Sequence, residues 1–327
     1  MFVSWRQVFL IVTLISKARS FTIDQVTDPI QHAEGPFWHA ETEELYFVDT
    51  FKSTVYRWSY KNKKTQSYHL ENHKSVGVII PIKNKKDQFI VAADRDICKL
   101  YWPASDNNTE AKLEHLASVD KDKPANQFND GKADSNGRLW LGTLTRNKDL
   151  SVAPEGGSLY SISGPKDIHE KAKPLSISNG LDWSNDENKL YHIDSETRKV
   201  AEYDFNKETG DIHNKKIIFD LRDHPSLEGI PDGMVADEDG NLWVALHGGS
   251  AIIKIDPNTG NLLETIKMPA KYCTSLVFGG TDLATIFVTT SRLKVNEKEL
   301  SQTPSAGSVF AITNLGVKGR KLHEAVI

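Results

Sequence analysis

Polar turns and short apolar runs alternate along this chain with a period near fifty residues. Each turn, rich in Asn, Asp, Glu, Gly or Lys, precedes a β-prone run opened by a large apolar residue. Clear copies are Trp38 to Val48, Ala133 to Thr143, Trp183 to Ile193 and Ala236 to Leu246, with weaker ones at Ile82 to Val91 and Phe278 to Val288. The anchor positions are 45, 89, 139, 190, 242 and 286, separated by 44, 50, 51, 52 and 44 residues. A second hairpin signal follows several anchors, as in Val55-Tyr56-Arg57-Trp58 before Lys63-Lys64-Thr65 and Ile252 to Ile255 before Pro257-Asn258-Thr259-Gly260. That makes about four strands per unit. Helical periodicity is absent after the first twenty residues. Six antiparallel four-stranded units predict an all-β, six-bladed β-propeller, a ring that leaves few exposed edges. Residues 21–327 read as one such domain. Gly307 to Ile312 is expected to supply the last strand, and Phe21 to Gln25 to complete the same blade and close the ring.

Residues 1–20 read differently. Arg6, the apolar run Val8 to Ile15 and Ala18-x-Ser20 form a secretory signal-peptide pattern, and the run is too short to span a bilayer. The expectation is a secreted protein. Removing Arg6, Lys17 and Arg19 leaves 37 basic against 44 acidic residues, a net charge of −7. That charge argues against nucleic acid or an anionic membrane as a partner. The two cysteines, Cys98 and Cys273, sit in apolar strand-like runs and are expected to be buried free thiols. Asn107-Asn108-Thr109 is a glycosylation sequon in a polar loop, so Asn107 is the expected acceptor.

The candidate chemistry lies where the chain approaches each repeat. Ile230-Pro231-Asp232-Gly233-Met234 holds a carboxylate between a φ-restricted proline and a permissive glycine, on what reads as a loop leading into a strand. Glu34-Gly35 and Asn179-Gly180 occupy matching points. Glu34 precedes Leu45 by 11 residues, Asn179 precedes Leu190 by 11, and Asp232 precedes Leu242 by 10. Asn129 precedes Leu139 by 10. Two readings of this spacing stay open. The four positions are turns using Asn/Asp-Gly for backbone reasons, or their oxygens converge on a divalent cation at the axis. All-oxygen ligation favours calcium, magnesium or manganese over structural zinc. No Gly-x-Ser-x-Gly elbow or phosphate loop appears, and His192 and His247 read as structural or surface histidines.

Several motifs together resemble one family. They are Glu34-Gly35-Pro36-x-Trp38, Asn129-Asp130-Gly131-Lys132, Ser178-Asn179-Gly180-Leu181-Asp182-Trp183, Ile230-Pro231-Asp232-Gly233-Met234, Gly240-Asn241-Leu242-Trp243 and Leu315-Gly316-Val317-Lys318-Gly319. The chain is similar over most of its length to the senescence-marker, gluconolactonase and luciferin-regenerating-enzyme family, which includes regucalcin. The stretch Glu34 to Thr50 resembles the luciferin-regenerating branch most.

The resemblance implies a six-bladed propeller and hydrolysis of sugar lactones. It implies one divalent metal, calcium foremost with zinc, manganese or magnesium as alternatives, held by Glu34, Asn179 and Asp232. It gives Asp232 the role of general base and Asn129 that of a substrate contact. Two further substrate positions depart from the family pattern: Gln127 stands where an arginine is common, and Asn147 where regucalcin has an acid. The expected partner is a small lactone or related molecule, and the expected state is a monomer. Non-catalytic calcium binding or ligand carriage, and luciferin-regenerating-type chemistry, are the alternative readings.

Overall fold

The computed structural model describes residues 20–104 and 110–327. The segment read as a signal peptide, up to residue 19, and the expected acceptor Asn107 lie outside the described residues. Strands dominate, and all strand pairs in the sheets are antiparallel. Three sheets have four strands each: Ala33–His39 through Thr65–His69, Val76–Pro81 through Lys112–Ser118, and Ser178–Trp183 through Asp211–Asp220. A fourth, Asn126–Ala133 through Asp167–Leu175, carries the two-residue strand Val152–Ala153 as a fifth member.

The remaining strands form one eight-stranded sheet, so the described residues contain five sheets where the repeat predicts six. The reason is local. The group Ile230–Ala236 through Asn261–Lys267 is joined to the group that begins at Tyr272–Gly279 by a single pair, His247 with Tyr272. The second group ends with Phe310–Thr313 and takes Thr22–Gln25 from the N-terminal end, with Thr22 opposite Thr313 and Gln25 opposite Phe310. That closure by the two ends of the chain follows the sequence expectation.

The six anchors all lie in the second strands of their repeats, and every one is buried, from Leu45 to Ile286. These runs are apolar on both faces, as in Leu45-Tyr46-Phe47-Val48, because each is covered by neighbouring sheets on both sides. The outermost strands instead alternate exposed and covered residues, as Thr65–His69 and Asn261–Lys267 do. Burial therefore increases inward. The innermost strands Ala33–His39, Val76–Pro81, Asn126–Ala133, Ser178–Trp183, Ile230–Ala236 and Tyr272–Gly279 each touch the next, and the last touches the first. They form a closed cycle around an axis, the arrangement of a β-propeller.

Two further features frame the site. A short helix, Glu297–Gln302, is capped by Asn296, whose side chain accepts from the Glu299 N–H at 2.9 Å. Six residues are too few for a helical period to register in the sequence. The C-terminal segment crosses one end of the axis, bridging Asp237 with Gly319, Ala133 with His323 and Ile82 with Ala325. Arg320 Nη2 donates to Asp182 Oδ1 at 3.0 Å and to the Trp183 carbonyl at 2.7 Å, fixing that strap.

Candidate functional site

Glu34, Asn129, Asn179 and Asp232 line one cavity of about 250 Å³. They come from four innermost strands, each near its N-terminal half. The sequence reading put Asp232 on a loop before a strand; the structure puts it inside Ile230–Ala236. The register explains the difference. Pairing slips between Pro231 and Met234, between Glu34 and Phe37, between Phe128 and Gly131, and between Ser178 and Leu181. These are β-bulges, which re-aim side chains within a strand and carry the same Gly-rich signature as a turn.

The glycines have a specific task here. Gly35 has φ 51°, and a Cβ on it would stand 2.6 Å from the Gly77 carbonyl oxygen. A Cβ on Gly180 would stand 2.6 Å from the Asp232 carbonyl oxygen. The innermost strands pack backbone to backbone at the bulges, and only glycine leaves room.

The acids are held in a costly environment. Burial, with the charges of Asp232 and Asp130, lifts Glu34 well above the usual carboxylate range. Burial and the Asp130 charge lift Asp232 likewise, and burial lifts Asp130. Asp130 adjoins a residue singled out in the sequence, yet its contribution to the acidity of the site was not anticipated there. Glu34 Oε2 accepts from the Gly35 N–H at 2.7 Å, and Asn179 Nδ2 donates to Ser195 Oγ at 3.0 Å. Asn179 Oδ1 and Asp232 Oδ1, by contrast, are buried and have no hydrogen-bond partner. Orphaned buried acceptors beside like-charged carboxylates call for a positive group. The donor set, two carboxylates and an amide oxygen, fits a hard divalent cation. Among the described residues no group of three or more His, Cys, Asp or Glu is arranged to hold a metal. A cation site here would therefore need an amide, hydroxyl or backbone oxygen beside the carboxylates, and Asn179 offers one.

The other expected substrate residues stand apart. Gln127 lies opposite Leu144 and its buried Nε2 has no partner. Asn147 is exposed and donates to Ser151 Oγ at 3.0 Å. Neither lines the cavity. Residues the sequence reading missed do line it: His32, Phe51, Arg146, Tyr272 and Lys294. His247 lines it too, its ring tilted 48° against that of Tyr272 with centroids 4.8 Å apart. Burial, then the His247 and Arg146 charges, push His32 down to about 3, and burial with Arg146 pushes His247 down to about 4. Both are neutral imidazoles at physiological pH. His192 is structural, buried with Nε2 2.9 Å from Ser178 Oγ. Cys98 and Cys273 are buried and free.

Residues 32–292 match the family model described as the SMP-30/Gluconolactonase/LRE-like region. Regucalcin of Xenopus laevis is 36% identical over 295 residues, 90% of this chain and 94% of that protein. Among solved structures, a luciferin-regenerating enzyme superposes with a TM-score of 0.87 at 36% identity, covering 94% of this chain and 100% of that one. A calcium-binding protein, regucalcin of Agrobacterium tumefaciens, superposes with a TM-score of 0.83 at 22% identity, covering 94% and 98%.

Proposed function

This chain belongs to the SMP-30/gluconolactonase/LRE-like family, and on that premise we propose that it hydrolyses lactones of the sugar type or related cyclic esters with one divalent cation. The observation that carries the reading is the pair of orphaned buried oxygens, Asn179 Oδ1 and Asp232 Oδ1, beside the lifted carboxyl of Glu34. In this proposal Glu34, Asn179 and Asp232 hold the cation, calcium first, with zinc, manganese or magnesium as alternatives. When bound, the cation would polarise the ester carbonyl and offset the charge of the two carboxylates.

Asp232 is the proposed general base and takes a proton from water. The water oxygen bonds to the carbonyl carbon, the ring C–O bond breaks, and the departing oxygen takes up the proton. The product is a hydroxy acid. Asn129 is the proposed substrate contact, oriented by its own hydrogen bond to the Ser178 carbonyl at 3.1 Å. Gln127 and Asn147 have no direct contact in this scheme.

The proposal extends to architecture and setting. We read the eight-stranded sheet as two four-stranded blades joined by the single His247–Tyr272 pair, which makes six blades in all. Residues 1–20 are proposed as a removable leader of a secreted monomer.

A panel of lactones assayed with calcium, manganese, magnesium and zinc tests the reading. Turnover that needs a divalent ion and is lost in Asp232→Asn supports it; full activity in Asp232→Asn overturns the assigned base. Metal binding with no turnover across the panel would support the second reading, a non-catalytic calcium-binding propeller. The position of Gln127 and Asn147 outside the cavity favours that second reading. Likeness to the luciferin-regenerating enzyme adds a third, chemistry on an aromatic heterocycle.

A further inference from the structure

We propose that Arg146 is an anion-binding residue of this cavity, and that the protein selects a ligand with an apolar body and a carboxylate over a neutral polyhydroxylated one. The reacting end of that ligand rests on the lactone-hydrolase reading; the anion end does not.

Arg146 ends the strand Leu139–Arg146, and with Leu144, two residues earlier, it faces the cavity. Its guanidinium carbon lies 5.0 Å from the Phe51 ring centroid. Nη1 donates to the Leu150 carbonyl at 3.2 Å, while Nε is buried without a partner. Among the described residues it forms no ion pair, although Glu196 lines the same cavity. Two other covered arginines are matched with acids: Arg138 Nε lies 2.9 Å from Asp134, and Arg320 Nη2 lies 3.0 Å from Asp182. An unmatched, largely desolvated guanidinium is expensive unless a ligand anion completes it, and its planar fork suits a carboxylate.

The walls decide the rest of the ligand. Leu144, Leu150, Val152, Ile177, Ile230 and Leu293 line the same cavity as Arg146 and the acids. They offer no hydrogen bonds to a sugar's hydroxyl groups, and burying those hydroxyls there would leave them unpaired. Arg146 and the exposed Lys294 are the arginine and lysine side chains that line this cavity. Leu150, which accepts the Arg146 hydrogen bond, holds φ at 66°, unusual for a branched side chain and in keeping with a rim set for binding. The cavity thus combines the acids Glu34 and Asp232, the guanidinium of Arg146 and a set of apolar side chains in one lining.

The test compares dihydrocoumarin with dihydrocoumarin-6-carboxylate. Wild type should prefer the carboxylated lactone in kcat/KM. Arg146→Ala should cut that preference by about 30-fold or more, mainly through KM, and Arg146→Lys should keep part of it. An unchanged preference ratio in Arg146→Ala overturns the proposal. If wild type hydrolyses neither lactone, the hydrolase reading fails, and benzoate binding by calorimetry in calcium buffer decides the anion site alone. Benzoate binding that weakens in Arg146→Ala, with benzyl alcohol as the uncharged control, supports it. Equal benzoate binding by both proteins overturns it.

Discussion

Asn179 Oδ1 and Asp232 Oδ1 line the same cavity, and both are buried without a hydrogen-bond partner. One comes from Ser178–Trp183 and the other from Ile230–Ala236, strands that touch around the axis. Each sits at a bulge, so the ladder that would otherwise dictate side-chain direction is interrupted at both.

This relationship sets opposite expectations for stability and function. Removing one buried like charge by Asp232→Asn should leave the metal-free protein as stable as wild type or more so, because Asp232 is destabilised by burial and by Asp130. The same change should abolish stabilisation by calcium. For wild type, ligand at a hundred times its dissociation constant adds about 2.7 kcal/mol, a few degrees in melting temperature. Calorimetric scans with calcium and with chelator measure both effects. An Asp232→Asn protein that keeps the full calcium shift would remove Asp232 from the ion's ligands.

Calcium affinity should rise with pH. Glu34 and Asp232 have folded-state values raised above their ordinary ones, by burial first and then by neighbouring carboxylates. A raised acid favours the fold below its unfolded value and loses that contribution as pH climbs through the folded value. The metal-free protein should therefore lose stability as pH rises from about 4. Calcium must displace whatever protons these acids hold, so binding releases protons. Titration calorimetry in two buffers of different ionisation enthalpy reads the release directly. Identical heats at mildly acid pH would contradict it.

The sequence made the repeat legible because its signal is carried by core residues. Leu45, Leu139, Leu190 and Leu242 are wholly buried, and each follows a turn that must be polar. Equal spacing in equal units singled out Glu34, Asn129, Asn179 and Asp232, but left open whether they were turns or converging oxygens; the structure places all four on one cavity. Bulges were not legible: Asn-Gly and Asp-Gly serve turns and bulges alike, and only pairing register separates them. Arg146 escaped notice for a different reason. It follows Thr145 at the end of an apolar strand and looks like a strand-terminating surface charge, and nothing local says that Phe51, nearly a hundred positions earlier, lies against it. The fusion of two sheets through His247 and Tyr272 likewise depends on one long-range pair.

The turn that precedes Leu139 holds a structural centre whose loss should be severe. Asp134 is 2% exposed and accepts from the backbone N–H of Asn136 and of Arg138, each at 3.0 Å. Its other oxygen accepts from Arg138 Nε at 2.9 Å and Trp140 Nε1 at 3.0 Å. Asp237 repeats the device with Asn241 and Trp243, adding Lys254 Nζ at 2.9 Å. Asp134→Ala leaves a buried guanidinium and an indole N–H unmatched, at a cost of about 3–5 kcal/mol. Urea unfolding should show the midpoint fall with little change in slope. A loss well under 1 kcal/mol would mean that water replaces the carboxylate freely.

His192 should make the fold acid-sensitive in a definite window. It is buried, bonded to Ser178 Oγ, and burial followed by the Lys215 charge pushes it down to about 3 from an ordinary 6.5. The folded protein keeps it neutral while the unfolded chain protonates it near its ordinary value. Its contribution is present above about 6.5 and drains away as pH falls toward 3, at up to about 1.4 kcal/mol per pH unit. His192→Gln keeps a hydrogen-bonding side chain without the titration. Chemical denaturation across pH 7 to 4 in chelator should show a shallower decline for His192→Gln than for wild type, even if the variant starts lower from imperfect packing. Parallel declines would show that His192 does not take up its proton on unfolding, and that the acid sensitivity of the fold arises elsewhere.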